Sequence, residues 1–167
     1  MGKCYLSTAK KFAWILLYLQ ILICANWARA NGDLEPIEFN APWGKICFFV
    51  EVADDAIERS RGLMFVEHMP ENQGMLFVYD APHTAAFWMK NTKISLDLIF
   101  LNAKGEVAHI HHSAAPMNEQ IISGGDDIQY VVEINGGLSK KTGISLGSIA
   151  HHSAFSRHVI EECKLEY

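Results

Sequence analysis

Cysteine is scarce in this chain, with four in 167 residues, and two of them, Cys4 and Cys24, fall in the first thirty positions. The remaining pair, Cys47 and Cys163, excludes a disulfide-dense scaffold, which needs several bridges. It leaves two alternatives open: a single disulfide in an oxidising compartment, or two separate thiols. Positive charge is also thin. Of 14 Lys and Arg, four lie in the first thirty residues, so the rest of the chain sets ten against 19 Asp and Glu, a net charge near −9 with His neutral. That balance argues against nucleic acid, whose phosphates demand a basic surface. Signature loops are missing too. There is no G-x-S-x-G elbow, no P-loop and no G-x-G-x-x-G after a strand pattern. No catalytic residue and no cofactor is assigned on these grounds, and no internal repeat or low-complexity segment is present.

Long apolar runs are equally rare. The one example, "FAWILLYLQILICA" from Phe12 to Ala25, follows Lys3, Lys10 and Lys11 and precedes "ARA" at Ala28 to Ala30. A basic start, a short apolar stretch and small residues at the cleavage positions describe a signal peptide over residues 1–30. The expectation is a periplasmic or secreted protein after cleavage near Ala30. Fourteen apolar residues fall short of the roughly 20 that span a bilayer, so membrane contact is expected only through an uncleaved leader. Removing 30 residues from 167 leaves 137, enough for one domain and too few for two.

What remains is rich in short alternating segments. Residues 31–45 are polar and Pro-bounded and read as a linker or loose entry segment. In "KICFFVEVA", Ile46, Phe48, Val50 and Val52 alternate with Cys47, Phe49 and Glu51, the period of a strand. Asp54 and Asp55 then offer an N-cap to a helix running to Met64, with Ile57, Arg61 and Met64 on one side. Beyond Pro70 and Gly74 come "MLFVY", "AAFWM", "ISLDLIFL", "EVAHIHH" and "IQYVVEI", separated by turn-rich pieces. Strands this close, with no helix between them, cannot make the crossovers of a parallel sheet. The predicted fold is mainly β: one antiparallel barrel or sandwich-like domain over residues 46–150 with one or two short peripheral helices. Residues 151–167 form a C-terminal tail with no evident partner.

Four blocks taken together, "RSRGLM", "GMLFVY", "FWMKNTKISLDLIF" and "YVVEINGG", carry a resemblance. In this order and spacing the chain resembles the domain of unknown function 192 family, over about Ile46 to Ser148. The resemblance implies a compact, mainly β, often exported domain, with no established reaction and no catalytic residues to transfer. Two departures stand out. Val66 occupies a position where the family commonly has Arg, and Ser148 one where it commonly has an acid.

The stretch "AAFWMKNTKISLDLIFL" sets Lys90, Asn91 and Asp97 among bulky apolar residues, where an unpaired charge is costly. A hairpin through "KNTK" is expected to bring Lys90 or Trp88 beside Asp97. Glu133, like Asp97, falls out of step with its own apolar row. Arg61, Trp88, Lys90, Asn91, Asp97, Glu133 and Asn135 are therefore the candidate ligand-binding set, with Phe87 and Trp88 as walls. They point to a non-enzymatic binding or interaction module, with a small molecule, an oligosaccharide or a protein as its partner. Bracing of the sheet is the competing role for the same polar cluster. Two further readings are weighed. Asp97 and Glu133 are candidates for the paired carboxylates of a hydrolase, a matter of their separation. His109 and His111, an H-x-H on a strand, are candidate zinc or copper ligands, but no further ligand stands at a recognisable interval and no metal is assigned.

Overall fold

The computed structural model describes residues 33–42, 44–156, 160 and 163. The expected signal peptide lies outside them. Strand β2 (Gly44–Ala53) is the alternating segment anticipated above, and strand β1 (Glu35–Ala41) runs antiparallel beside it with Ile37 opposite Phe48. Residues 35–41 are thus not a linker. The alternation is legible there once Ile37 and Phe39 are seen to be fully buried.

Asp55 caps helix α1 (Ala56–Arg61), its carboxylate accepting the N–H groups of Ile57 at 2.7 Å and Glu58 at 2.8 Å. These are two of the donors that a helix start leaves unsatisfied. Strand β3 (Gln73–Phe87) follows and pairs with β2 in parallel, from Phe49 opposite Gln73 to Ala53 opposite Phe77. The expectation of a wholly antiparallel sheet is corrected at this one pair. Its physical reason is α1, among the described residues the only helix set between two strands that become neighbours, which supplies the crossover that parallel pairing requires.

"MLFVY" and Ala85 to Phe87 of "AAFWM" lie in one strand, β3, and Trp88 and Met89 follow its end. The register of β3 slips between Val78 and His83, and again between His83 and Ala86, where Pro82 sits in a segment unable to keep a regular ladder. Strands β4 (Leu96–Asn102), β5 (Val107–Ala114) and β6 (Ile122–Asn135) complete the centre, followed by helix α2 (Leu138–Thr142) and the short β7 (Ala150–His151). The order across the sheet is β5-β4-β6-β3-β2-β1-β7. Strands β3 and β4 are therefore not a hairpin: β6 lies between them and pairs antiparallel with both. Residues 147–150 bond to Gly105 and Val107 at the start of β5, curling the sheet toward closure.

Both faces of the central strands are apolar. Leu76, Ile99, Leu101, Val132 and Ile134 belong to one core, with Phe39, Phe48 and Leu138. Met75, Phe77, Leu98, Phe100 and Val131 belong to the other, covered by Leu63 and Met89 from the loops. The tail also has a partner after all, because Cys163 is joined to Cys47 by a disulfide. Among the described residues no helix is long and apolar enough to cross a membrane.

Candidate functional site

Side chains that stand opposite one another across a sheet share a face. Glu51 pairs with Met75, Met75 with Glu133, Glu133 with Leu98, and Leu98 with His111, so these five form one row. Asp97 pairs with Ile134 and therefore lies on the opposite face. Asp97 and Glu133 are separated by the sheet itself, which removes the paired-carboxylate reading of a hydrolase.

Asp97 is fully buried and saturated with donors. Its Oδ1 accepts the N–H groups of Ser113 at 2.7 Å and Gly137 at 2.8 Å, and its Oδ2 accepts the N–H of Ser139 at 2.8 Å and the Ser139 hydroxyl. Burial pushes the carboxyl up, but the hydrogen bonds from Gly137, Ser139 and Ser113 outweigh it and hold the group below its ordinary value. Gly137, the left-handed N-cap of α2, has no side chain to cap with, and Asp97 does that work from across the fold. The Ser139 hydroxyl also meets His112 Nδ1 at 2.9 Å. This is not a nucleophile with its base: Ser139 is fully buried and gives its proton to Asp97.

Glu133 has the contrary surroundings. It is 5% exposed, and no described residue hydrogen-bonds to its carboxyl. Burial pushes it up to about 8, so at neutral pH it is an uncharged acid with one proton to donate. It floors a cleft of 270 Å³ whose walls are Phe77, Tyr79, Phe87 and Trp88 and whose lip carries Arg59 and Arg61 from α1. Arg59 is committed to the fold. It donates to the carbonyls of Val78 at 2.8 Å and of Asp54, and lies 5.0 Å from the Tyr79 ring centre. Gly62 ends α1 in the left-handed region (φ 48°), and a Cβ there would stand 3.2 Å from the Phe77 ring. The glycine lets the helix end approach the cleft wall.

Arg61 is exposed and makes no ion pair among the described residues. Lys90 Nζ lies 5.2 Å from the Trp88 ring centre, and Trp88 is 49% exposed. Asn91 serves the surrounding backbone: its carbonyl accepts the Phe65 N–H at 2.8 Å and its amide reaches Met64 Sδ at 3.9 Å. Thr92 accepts from Met117, and Met89 donates to Asn118. Three loops are thereby stitched together beside the cleft, each with a non-glycine residue at positive φ, namely Phe65, Asn91 and Met117. Such conformations persist only where neighbours enforce them. Asn135 donates to the carbonyls of Met69 and Pro70 at 3.0 and 3.1 Å and fixes another loop.

Of the residues anticipated, the structure brings Arg61, Trp88 and Glu133 together, sets Lys90 on Trp88, and gives Asn91, Asn135 and Asp97 scaffold contacts. Sequence reasoning missed Arg59 and Tyr79. The signal for Tyr79 was its parity with Met75 and Phe77 in "MLFVY". His109 packs 5.7 Å from the Phe100 ring, and among the described residues no group of three or more His, Cys, Asp or Glu stands close enough to hold a metal.

A family model described as an uncharacterized ACR, domain of unknown function 192, matches residues 40–152. The chain belongs to this family. Two solved structures share its fold and part of its sequence. One, a proposed transcription regulator from Sinorhizobium meliloti 1021, is 31% identical with a TM-score of 0.72, the match covering 75% of this chain and 98% of that one. The other, a protein of unknown function from Novosphingobium aromaticivorans DSM 12444, is 32% identical with a TM-score of 0.71, over 74% of this chain and 88% of that one. No curated protein matches. The two departures from the family pattern lie away from the cleft lining: Val66 packs on the second core, and the Ser148 hydroxyl accepts the Ser145 N–H at 3.1 Å in the turn before β7.

Proposed function

We propose that this member of the family is an exported, non-enzymatic binding module whose ligand enters the cleft between α1 and β3 and rests on Glu133. One observation carries the reading. The Glu133 side chain is 5% exposed, no described residue hydrogen-bonds to its carboxyl, and it floors an aromatic cleft large enough for a small molecule. Among the described residues no second acid lines the cleft and no base is set against a nucleophile, so binding is favoured over turnover. Export is supported by the leader pattern and by the Cys47–Cys163 disulfide, which suits an oxidising compartment. The description of the Sinorhizobium relative would suggest DNA, but the acidic balance of this chain speaks against it.

The test is a thermal-shift screen of small molecules and oligosaccharides, followed by titration of each hit against Trp88→Ala and Glu133→Leu. A hit that raises the melting temperature of the wild type and binds at least tenfold more weakly to both variants supports the cleft. The reading fails if no compound stabilises the wild type, or if every hit ignores both substitutions. N-terminal sequencing of native protein checks export, with a start near Asn31 expected and a start at Met1 opposing it.

A further inference from the structure

The charges on the cleft's lip are positive in a chain of net negative charge. Among the described residues Lys45, Lys93 and Lys141 each pair with a carboxylate, on Glu38, Glu67 and Glu71. Arg59, Arg61, Lys90, Lys104 and Lys140 pair with none; of these, Arg59 and Arg61 line this cleft and Lys90 stands over its Trp88, in a chain of net negative charge. Arg59 is spent on carbonyls and on Tyr79. Arg61 and Lys90 keep their donors free for solvent or a ligand.

Resting on the binding reading above, we propose that the cleft takes a small ring-bearing monocarboxylate with at least one neutral hydroxyl or carbonyl group, of the aromatic-acid or sugar-acid kind. Each part of such a ligand meets a matching group in the cleft. Its carboxylate meets the Arg61 guanidinium, with the Lys90 ammonium beside it, and its ring lies flat on Trp88 and Phe87. Its neutral polar group exchanges a hydrogen bond with the protonated Glu133 carboxyl, which has no other partner among the described residues. A cation is disfavoured by the guanidiniums it must pass. A cavity of 270 Å³ admits one ring and excludes a chain of them.

A consequence for pH follows from the floor. The titratable groups that face or flank Glu133 are Arg59 and Arg61 on α1, Tyr79 on β3, Glu51 on β2 and His111 on β5, with Lys90 beyond Trp88. None of the acids among them shares its cleft, so Glu133 itself sets the change. Once ionised, it repels the ligand's carboxylate, and affinity falls as pH rises above about 8.

The experiment is isothermal titration of the full-length protein with four probes at pH 6 to 9: 4-hydroxybenzoate, galacturonate, galactose and benzylamine. At least one of the two acids is expected to bind at pH 6. Arg61→Gln should weaken it tenfold or more while leaving thermal unfolding unchanged. In the wild type affinity should drop by up to tenfold per pH unit above about 8, and in Glu133→Gln the drop should vanish. The two acid probes distinguish an aromatic from a sugar source. Binding of galactose or benzylamine equal to or tighter than the acids overturns the ligand class while leaving the binding module standing. Acid binding that Arg61→Gln does not weaken overturns the assigned recognition. Silence from all four probes, joined to a screen without hits, overturns both readings.

Discussion

At the scale of single residues, two carboxylates of this domain show opposite uses of burial. Glu133 keeps its proton to about pH 8 against an ordinary value of 4.5. The folded state therefore holds a proton that the unfolded chain loses, and stability falls as pH rises from about 4.5 toward 8. Glu133→Gln removes that loss. Its stability should match the wild type near pH 4 and exceed it by about 3 kcal/mol or less at pH 7, read from urea unfolding at both pH values. Asp97 has the reverse sign. Its carboxyl is held below 3.8, so its contribution is complete above that value and is lost as pH falls through the lower, folded one. Asp97→Asn offers one acceptor oxygen and turns an NH2 group toward donors that Asp97 now satisfies. It should cost about 3 kcal/mol, with the loss shrinking under acid conditions. Which acid was scaffold was not legible in the sequence. Both fall out of step with an apolar row, but both faces of the sheet are apolar, so parity within one strand does not define a shared face. Only the pairing of Asp97 with Ile134, and not with Glu133, decides it.

At the scale of elements, α1 both makes the parallel crossover and lines the cleft. Asp55 and the alternation in "KICFFVEVA" made the helix start and β2 readable, because caps and period-2 patterns are local. The neighbours of β3 were not readable. A turn such as "KNTK" suits a hairpin, but the ladder goes to whichever strand offers the better face, and β6 offers one to both β3 and β4. Arg59 was hidden for a similar reason, since its acceptor on Val78 lies 19 residues away in another element. Gly62 tests the join between α1 and the cleft. Gly62→Ala forces a Cβ into the left-handed region and toward Phe77, and should cost about 1 to 2 kcal/mol. A melting temperature lower by several degrees, with weakened binding of any cleft ligand, is the expected outcome.

At the scale of the whole molecule, the Cys47–Cys163 bridge ties the tail to β2 across 116 residues. A loop of that size restricts the unfolded chain strongly, by about 4 to 5 kcal/mol in the chain-entropy account. Replacing both cysteines with serine should lower the melting temperature by 10 °C or more for a domain of this size. Reductant should lower the wild type equally and leave the double variant unmoved. Two lone cysteines allowed this bond in the sequence without requiring it, because proximity of β2 to residue 163 depends on the completed fold.

The order of strands has one more consequence, which concerns time. β6 is central in the sheet but is the fifth strand to follow β1 along the chain, so β3 and β4 have no shared neighbour until residue 135 has been made. A fold that must wait for distant pairings forms slowly. Strand β6, which also carries Glu133, thus joins β3 to β4 and sets the floor of the cleft in the same event.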